Sequence, residues 1–283
     1  MKSVFFLFLA CSLSATVNQP LQIECFTGYR NDRIHWHLED PGSLGYTTYS
    51  ELYRDIEYWE NGLVFSWIHR DITFYFRGNY GTYGRGDLFQ MYSGFPEFQF
   101  KTHGWSADAI GYFGYSVNLT DGRPYKVILT PLTGYSGYFE QLRRSQRTEL
   151  PSLPGAFRLV WDGVFLGAAF GIQPNGPLEF KAGYSYHFMH NRVHTKIQNA
   201  LMGTEILQSI RASSGGNKGH TGWLQMDWVL TPHWCIGVNG LIYYFSTRVV
   251  NATNRQRGRG NYSEKLKLRW TVLKGALQIS RQF

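Results

Sequence analysis

The chain has 283 residues, of which 17% are aromatic and 17% charged, and a formal net charge of +8. The charged fraction is below the roughly 25% of an ordinary soluble domain, and no run of about 18 apolar residues follows the N-terminal segment, which excludes membrane-spanning helices. A mean hydropathy of −0.30 is compatible with a transmembrane β-barrel, because a polar interior offsets an apolar outer surface.

The N-terminal segment predicts export. Lys2 gives a positive start, residues 4–10 are apolar, and residues 12–15 are mostly small, which together are typical of a signal peptide. We therefore expect a signal peptide over residues 1–15 and a mature domain over residues 16–283. A buried first strand and acylation of Cys11 are the alternatives. Only Cys25 and Cys235 then remain, so no disulfide framework is expected.

The remainder of the chain predicts ten strands. In chain order they are residues 22–37, 46–68, 72–83, 98–118, 125–141, 156–172, 178–190, 222–230, 234–247 and 261–283. Short turns and long loops alternate strictly between them, as they do in transmembrane barrels, where one rim carries tight turns and the other carries loops. Pro131 predicts a bulge or break in the fifth strand. A phase slip near residues 273–275 predicts either a bulge or two short strands.

Most of these strands alternate apolar and polar residues with a period of two, which is typical of a sheet whose faces meet different surroundings. The third strand sets Ile72, Phe74, Phe76 and Tyr80 against Thr73, Tyr75, Arg77 and Asn79. The sixth strand sets Phe157, Leu159, Trp161 and Phe165 against Arg158 and Asp162. A secreted β-sandwich would hide the apolar faces in a core. The strands are far longer than the five to six residues usual in such domains, which favours a barrel with its apolar faces in lipid.

Three segments carry a family resemblance. GYRNDRIHWHLEDPG, SELYRDIEYW and the paired strands that end in GNYGTYGRGD resemble the outer-membrane proteins of chlamydia-like bacteria, the Protochlamydia porin group, most strongly over residues 28–87. The architecture is also similar to omptins, the ten-stranded outer-membrane proteases. These resemblances imply an all-β chain that forms a single antiparallel barrel of ten strands, with twelve as the alternative, in omptin-like up-and-down order. They also imply an outer-membrane location among lipid and lipopolysaccharide.

The likeness to omptins implies a catalytic site that this chain completes only in part. That family places two aspartates after the third strand and an Asp-x-His after the seventh. Here the first segment supplies Asp87 without a second acid two residues later, and the second supplies His190 and His194 without an aspartate. A general base needs a carboxylate to orient it. We therefore expect no enzyme, and a hydrolase with an altered site at Asp87 and His194 is the alternative.

Polar positions of the strands predict the lining of the lumen. They are Thr73, Tyr75, Arg77, Asn79, Glu179, Lys181, Ser185, His187, Asp227, Lys265 and Lys267. A lumenal charge network is predicted from Glu51, Asp55 and Glu57 beside Arg30 and Arg33. Interface aromatic girdles are predicted from Trp59, Trp67, Trp105, Trp161 and Trp234. His35 and His37 lack a third ligand at metal-site spacing, so no metal or cofactor is expected.

Three functions remain open at this point. The leading hypothesis is porin-like passage of small solutes or a surface-exposed structural role. The alternatives are the altered hydrolase and a non-enzymatic adhesin. Ten strands lie between the filled lumen of about eight strands and the open channel of sixteen to eighteen. The bulky Tyr75 and His187 therefore favour a narrow or plugged passage. Nucleic acid is not an expected partner, and the oligomeric state is left open.

Overall fold

The computed structural model describes residues 21–39, 47–92, 97–120, 125–144, 155–174, 176–201, 204–247, 250–256 and 260–283. The predicted signal peptide, with Cys11, lies outside these residues. No helix among the described residues has the length and apolar character needed to cross a membrane.

The described chain consists of antiparallel strands. They are β1 Leu21–Glu39, β2 Thr47–His69, β3 Ile72–Tyr92, β4 Phe98–Tyr115, β5 Val117–Asn118, β6 Lys126–Arg144, β7 Ala156–Gln173, β8 Leu178–Leu201, β9 Thr204–Thr231, β10 Trp234–Ser246, β11 Val250–Gln256 and β12 Gly260–Gln282. The tight turns follow β2, β5, β7 and β9 at one end, which we call the turn side. The opposite end is called the loop side.

The sheet closes on itself. Strand β1 pairs with β2 and with β12, so that Cys25 lies opposite both Leu63 and Ile279. The ring order is β1-β2-β3-β4-β6-β7-β8-β9-β10-β12; β5 pairs with β6, and β11 lies between β9 and β12. The prediction of a ten-stranded antiparallel barrel is confirmed, and the two short strands account for the alternative count of twelve. Among the described residues, closure leaves the ring of strands without a free edge, which a lipid environment requires.

Neither the bulge nor the break predicted at Pro131 occurs in the fifth strand; the interruption lies in the strand opposite it. β4 pairs with β6 as far as Gly114 opposite Leu132, and β5 resumes with Val117 opposite Leu129, in the same register. The gap between them faces Pro131, which has no amide hydrogen to donate to a neighbouring strand. β6 remains continuous, and Pro131 lies opposite Ala168 of β7.

Several strands extend beyond their predicted ends. Residues 84–92, 191–201 and 204–221, which the sequence places in loops, continue β3, β8 and β9. The serines and glycines of residues 213–217 predict a turn within a loop, but in the structure this segment belongs to β9, and Ser214 lies opposite Asn191 on β8. The register shifts there, and Gly216 adopts a φ of 73°, a left-handed conformation that glycine reaches without steric cost. A bulge thus replaces the predicted loop.

The apolar face changes sides along the strands. On the turn-side half of β12, Leu273, Leu277 and Ile279 are exposed on the outer face at 59%, 62% and 48%. On the loop-side half, Leu268 and Trp270 are fully buried in the interior. The register of β12 with β1 runs without a shift over this whole length. The predicted bulge and the alternative of two short strands are therefore wrong, because the pattern inverts while the backbone stays regular.

The same inversion occurs in β7. Leu166 and Phe170 are exposed on the outer face of the turn-side half, whereas Phe157 and Trp161 are buried inside the loop-side half. The expectation that every apolar face points outward thus holds only near the turn side. There the exposed apolar band on β12 extends over residues 273–279, and a tilted strand needs about nine to eleven residues to cross a bilayer. Beyond this band the barrel has an apolar core and a polar outside, as in a water-soluble protein.

Candidate functional site: the barrel interior

The interior has three layers. A cavity of about 260 Å³ with charged and apolar walls lies on the turn side. A cluster of buried charges follows at mid-height, and aromatic and aliphatic side chains pack together on the loop side. Each layer is built from alternate residues of the strands, so one register fixes which side chains can meet.

The turn-side cavity combines charged and apolar walls. Glu24, Arg77 and Lys181 line it, together with Phe165 and Leu241. Gln22, Ile68 and Ser116, which lie close to the tight turns, also line it, so the cavity reaches towards the turn-side end. Lys181 Nζ lies 3.2 Å from Asp227 Oδ2 and 3.4 Å from Glu179 Oε2. This cation is therefore compensated by its own neighbours.

Nine of the eleven side chains predicted to line the lumen lie on the inner face of the sheet. They are Thr73, Tyr75, Arg77, Asn79, Glu179, Lys181, Ser185, His187 and Asp227. Lys265 and Lys267 lie on the outer face, because they alternate along β12 with Leu266 and Leu268, which are buried inside the barrel. Their assignment to the lumen was wrong because they belong to the loop-side half, where the apolar residues are the inner ones.

His187 is fixed in the wall of this cavity. Its Nδ1 lies 3.0 Å from Ser136 Oγ, and its Nε2 lies 2.9 Å from both Ser185 Oγ and Thr221 Oγ1. Its ring also packs against Phe165 at 4.8 Å between centroids. Hydroxyl groups can donate or accept a hydrogen bond, so they satisfy both nitrogens of the neutral imidazole. The side chain narrows the lumen and is held without a carboxylate partner among the described residues.

Arg30 lies at the centre of the charge cluster and is fully buried. Its Nε lies 2.6 Å from Asp32, its Nη1 lies 3.1 Å from both Glu60 and Asp108, and its Nη2 lies 3.3 Å from Glu140. A buried charge is tolerated only when its partners replace the lost hydration. One guanidinium thus contacts carboxylates from β1, β2, β4 and β6.

Lys274 of β12 supplies the second cation of the cluster. Its ammonium group contacts Asp108 and lies 2.9 Å from Glu60. Asn79 Nδ2 donates to Glu60 at 2.9 Å, and Trp270 Nε1 donates to Asp32 at 3.0 Å. Polar contacts inside the barrel therefore connect strands that are distant in sequence. They include contacts between β1 and β12, the two strands that close the ring.

The sequence predicted a different charge network. Asp55, Glu57 and Arg33 lie on the exposed outer face and do not approach Arg30. That prediction assumed that charges close together in the sequence are also close together in space. The actual partners of Arg30 are up to 110 residues away in the sequence. The alternation of Glu24, Arg30 and Asp32 on one face of β1 was the signal that could have placed these side chains inside.

Glu51, the fourth member of that prediction, is buried in a separate site on the loop side. Its carboxylate accepts hydrogen bonds from Trp36 Nε1 at 3.2 Å, Tyr53 OH at 2.7 Å and Gln90 Nε2 at 2.5 Å. Tyr49 OH also donates to it. These partners compensate for its burial, so we assign Glu51 a structural role.

The loop-side layer is dominated by aromatic rings. Trp161 stacks on Phe245 at 5.3 Å, and Tyr138 packs against Phe245 at 4.9 Å and against Tyr243 at 5.1 Å between centroids. Trp161 was predicted in an interface girdle, and that prediction was wrong, since the side chain is fully buried. Trp59 lies on the outer surface as predicted, 53% exposed.

Asp87 and His194 face outward and do not meet. Asp87 lies on β3, pairs with Lys101 at 2.7 Å and lines an outer recess of about 810 Å³. His194 lies on β8, four strands away in the ring, and its Nε2 lies 3.3 Å from Ser209 Oγ. Partial burial and then the charge of Arg211 lower the pKa of His194. Because Asp87 and His194 lie four strands apart, the two side chains do not share a site.

His35 and His37 lie on the outer face of β1, with ring centroids 5.7 Å apart. His37 Nε2 lies 3.3 Å from Glu39 Oε1. In the described part of the chain, no group of three His, Cys, Asp or Glu side chains is arranged to hold a metal ion.

The closed ring, the outer apolar band and the polar interior of the turn-side half define an outer-membrane β-barrel protein. The sequence matches the family model described as Protochlamydia outer membrane protein over residues 24–269. The chain therefore belongs to this family and is located in the outer membrane.

Solved structures are similar to this chain, and the first of them shares its fold. The outer membrane protease OmpT from Escherichia coli superposes with a TM-score of 0.80 at 11% identity, over 96% of this chain and 99% of that one. The translocator domain of the autotransporter NalP from Neisseria meningitidis gives a TM-score of 0.41 at 13% identity, over 100% and 95% of the two chains. The comparison with curated proteins gave no match.

Proposed function

We propose that this protein is a closed outer-membrane barrel with a surface-exposed structural role, in which the loop-side half stands beyond the membrane as a rigid body. The observation that carries this proposal is the filled interior. A solute that crosses from the loop side would have to displace the aromatic layer and then separate the charges around Arg30. Both layers are buried, so opening them costs packing and ion-pair energy together.

The outer surface of the loop-side half supports the same role. Exposed cationic side chains from four strands occupy it: Arg33, Arg158, Arg192, Lys196, Lys265 and Arg269. Surface charges keep a protruding body soluble and provide sites for anionic partners. An adhesin would use the same surface, and it remains one form of this proposal.

Passage of small solutes is the second candidate, and the turn-side cavity favours it. This cavity has charged walls and extends towards the turn-side end. To conduct, the barrel would have to rearrange its charge cluster, which gives a gated passage of low permeability. A hydrolase built on Asp87 and His194 finds no support in their outward positions.

Liposome swelling distinguishes the two candidates. Purified barrel is reconstituted into liposomes, which are diluted into isotonic solutions of small sugars and amino acids, with a general porin as the positive control. The closed-barrel proposal predicts swelling no faster than that of protein-free liposomes. Swelling that increases with the amount of protein and falls with solute size would overturn the proposal in favour of passage.

A further inference from the structure

The turn-side cavity has two charges that the protein itself leaves without an ionic partner. Glu24 and Arg77 both line it and are 7% and 6% exposed. Among the ion pairs of the described residues, none includes either side chain. Arg77 Nε is buried without a hydrogen-bond partner, and its guanidinium lies 4.1 Å above the ring of Phe26. Lys181, the third charged residue of the lining, pairs with both Glu179 and Asp227.

Register places these two charges in the same cross-strand row. Glu24 lies opposite Val64 on β2, and Val64 lies opposite Arg77 on β3. The two inward-pointing side chains therefore start about 10 Å apart, twice the spacing of neighbouring strands. Their ends stay beyond ion-pair distance from each other. Two opposite charges separated in this way are complementary to a solute that has both a carboxylate and an ammonium group.

The rest of the cavity fits the body of such a solute. Ile110, Leu132, Phe165 and Leu241 give it apolar walls. Its volume of about 260 Å³ equals roughly nine shares of liquid water at about 30 Å³ each. That is room for one small organic molecule. Buried charges that lack an ion pair are costly, so an occupant that pairs with both is stabilised.

We propose that the turn-side cavity binds a small zwitterion, an α-amino acid with an apolar side chain. Its carboxylate accepts hydrogen bonds from Arg77, its ammonium group donates to Glu24, and its side chain contacts Leu132 and Phe165. The tight turns of outer-membrane barrels face the periplasm, so the amino acid enters from that side. The inference is independent of the proposed closed state, because a conducting barrel would contain the same cavity.

Calorimetric titration of the folded, full-length barrel tests this assignment. The probes are L-leucine, N-acetyl-L-leucine, which lacks the ammonium group, and L-leucinamide, which lacks the carboxylate. We expect saturable binding of leucine, and binding about tenfold or more weaker for each blocked analogue, because each loses one charged hydrogen bond. Absence of leucine binding at millimolar concentration, or equal binding of the three probes, would overturn the proposal.

Variants assign the two ends of the ligand. Glu24→Gln should bind leucine and N-acetyl-leucine equally, and should still prefer leucine over leucinamide. Arg77→Met should bind leucine and leucinamide equally, and should still prefer leucine over N-acetyl-leucine. Lys265→Met, on the outer face, is the matched control and should bind as the unaltered protein does. Leucine binding unchanged in folded Glu24→Gln would contradict the assignment. If Arg77→Met does not fold, as judged by heat-dependent gel mobility, the Glu24→Gln variant and the three-probe comparison still decide the question.

Discussion

Arg30 and Lys274 lie directly opposite each other on β1 and β12, and both contact Glu60 and Asp108. The strands that close the ring are therefore joined twice, by their backbone ladder and by two cations that contact the same carboxylates. Because Glu60 and Asp108 come from β2 and β4, this contact also ties the closure to the first half of the barrel.

Removal of Arg30 should destabilise the barrel strongly. Arg30→Met leaves four carboxylates around one remaining cation, and breaking a buried ion pair costs about 3–5 kcal/mol. The temperature at which the folded gel band disappears is the measurement. Arg33→Met, an exposed position on the same strand, is the control and should shift that temperature little, since exposed charges contribute about 0–1 kcal/mol. Equal stability of the two variants would show that the cluster does not hold the closure.

The buried aromatic layer should respond to truncation more than the outer surface does. Trp161→Ala removes a side chain that is fully buried against Phe245 and should cost about 3–5 kcal/mol. Trp59→Ala removes a half-exposed ring and should cost clearly less. The free energy of unfolding in urea, measured in the same detergent, gives the comparison. If Trp59→Ala lowered the free energy of unfolding more than Trp161→Ala does, Trp161 would not belong to a packed core.

Because the apolar face of β12 changes sides, a substitution of Leu by Arg near the turn side and one of Arg by Leu near the loop side should differ in their cost to folding. Leu277→Arg puts a charge in the exposed apolar band and should cost about 2–4 kcal/mol if the position is near the bilayer midplane. Arg269→Leu, on the outer face of the loop-side half, should leave folding into liposomes nearly unchanged. Refolding yield into lipid vesicles is the measurement. Refolding of Leu277→Arg with the same yield as Arg269→Leu would mean that the exposed apolar band on β12 does not face lipid.

Asp87→Ala and His194→Ala should leave the protein's behaviour towards a dibasic peptide unchanged, because neither side chain lies in a shared cavity. Incubation of the peptide with the folded protein and lipopolysaccharide, followed by mass spectrometry, measures cleavage. Cleavage abolished by both substitutions would contradict the outward placement of this pair.

The sequence predicted the barrel and its turn-side interior because both depend on local alternation. Arg77 and Asn79 alternate with exposed aromatic residues in a segment that crosses the apolar band, so their inward direction follows from period two. Lys265 and Lys267 alternate equally well, yet they point outward. The rule that polar residues face the lumen depends on lipid outside, and alternation alone does not reveal where the lipid ends.

Alternation along the strands could not predict which side chains of distant strands would meet. Arg30 and Asp108 are 78 residues apart, and their contact depends on the relative stagger of four strands. The predicted partners Asp55 and Glu57 belong to the next strand along the chain. Their outward direction follows a register shift between β2 and β3, near which Asp55 adopts a φ of 51°.

Single-channel recording in a planar bilayer tests the closed interior most directly. The purified, refolded barrel should insert without producing steady conductance steps, since the aromatic layer and the Arg30 cluster fill the ring. Reproducible steps of uniform size from the unaltered protein, scaling with salt concentration, would contradict a filled interior.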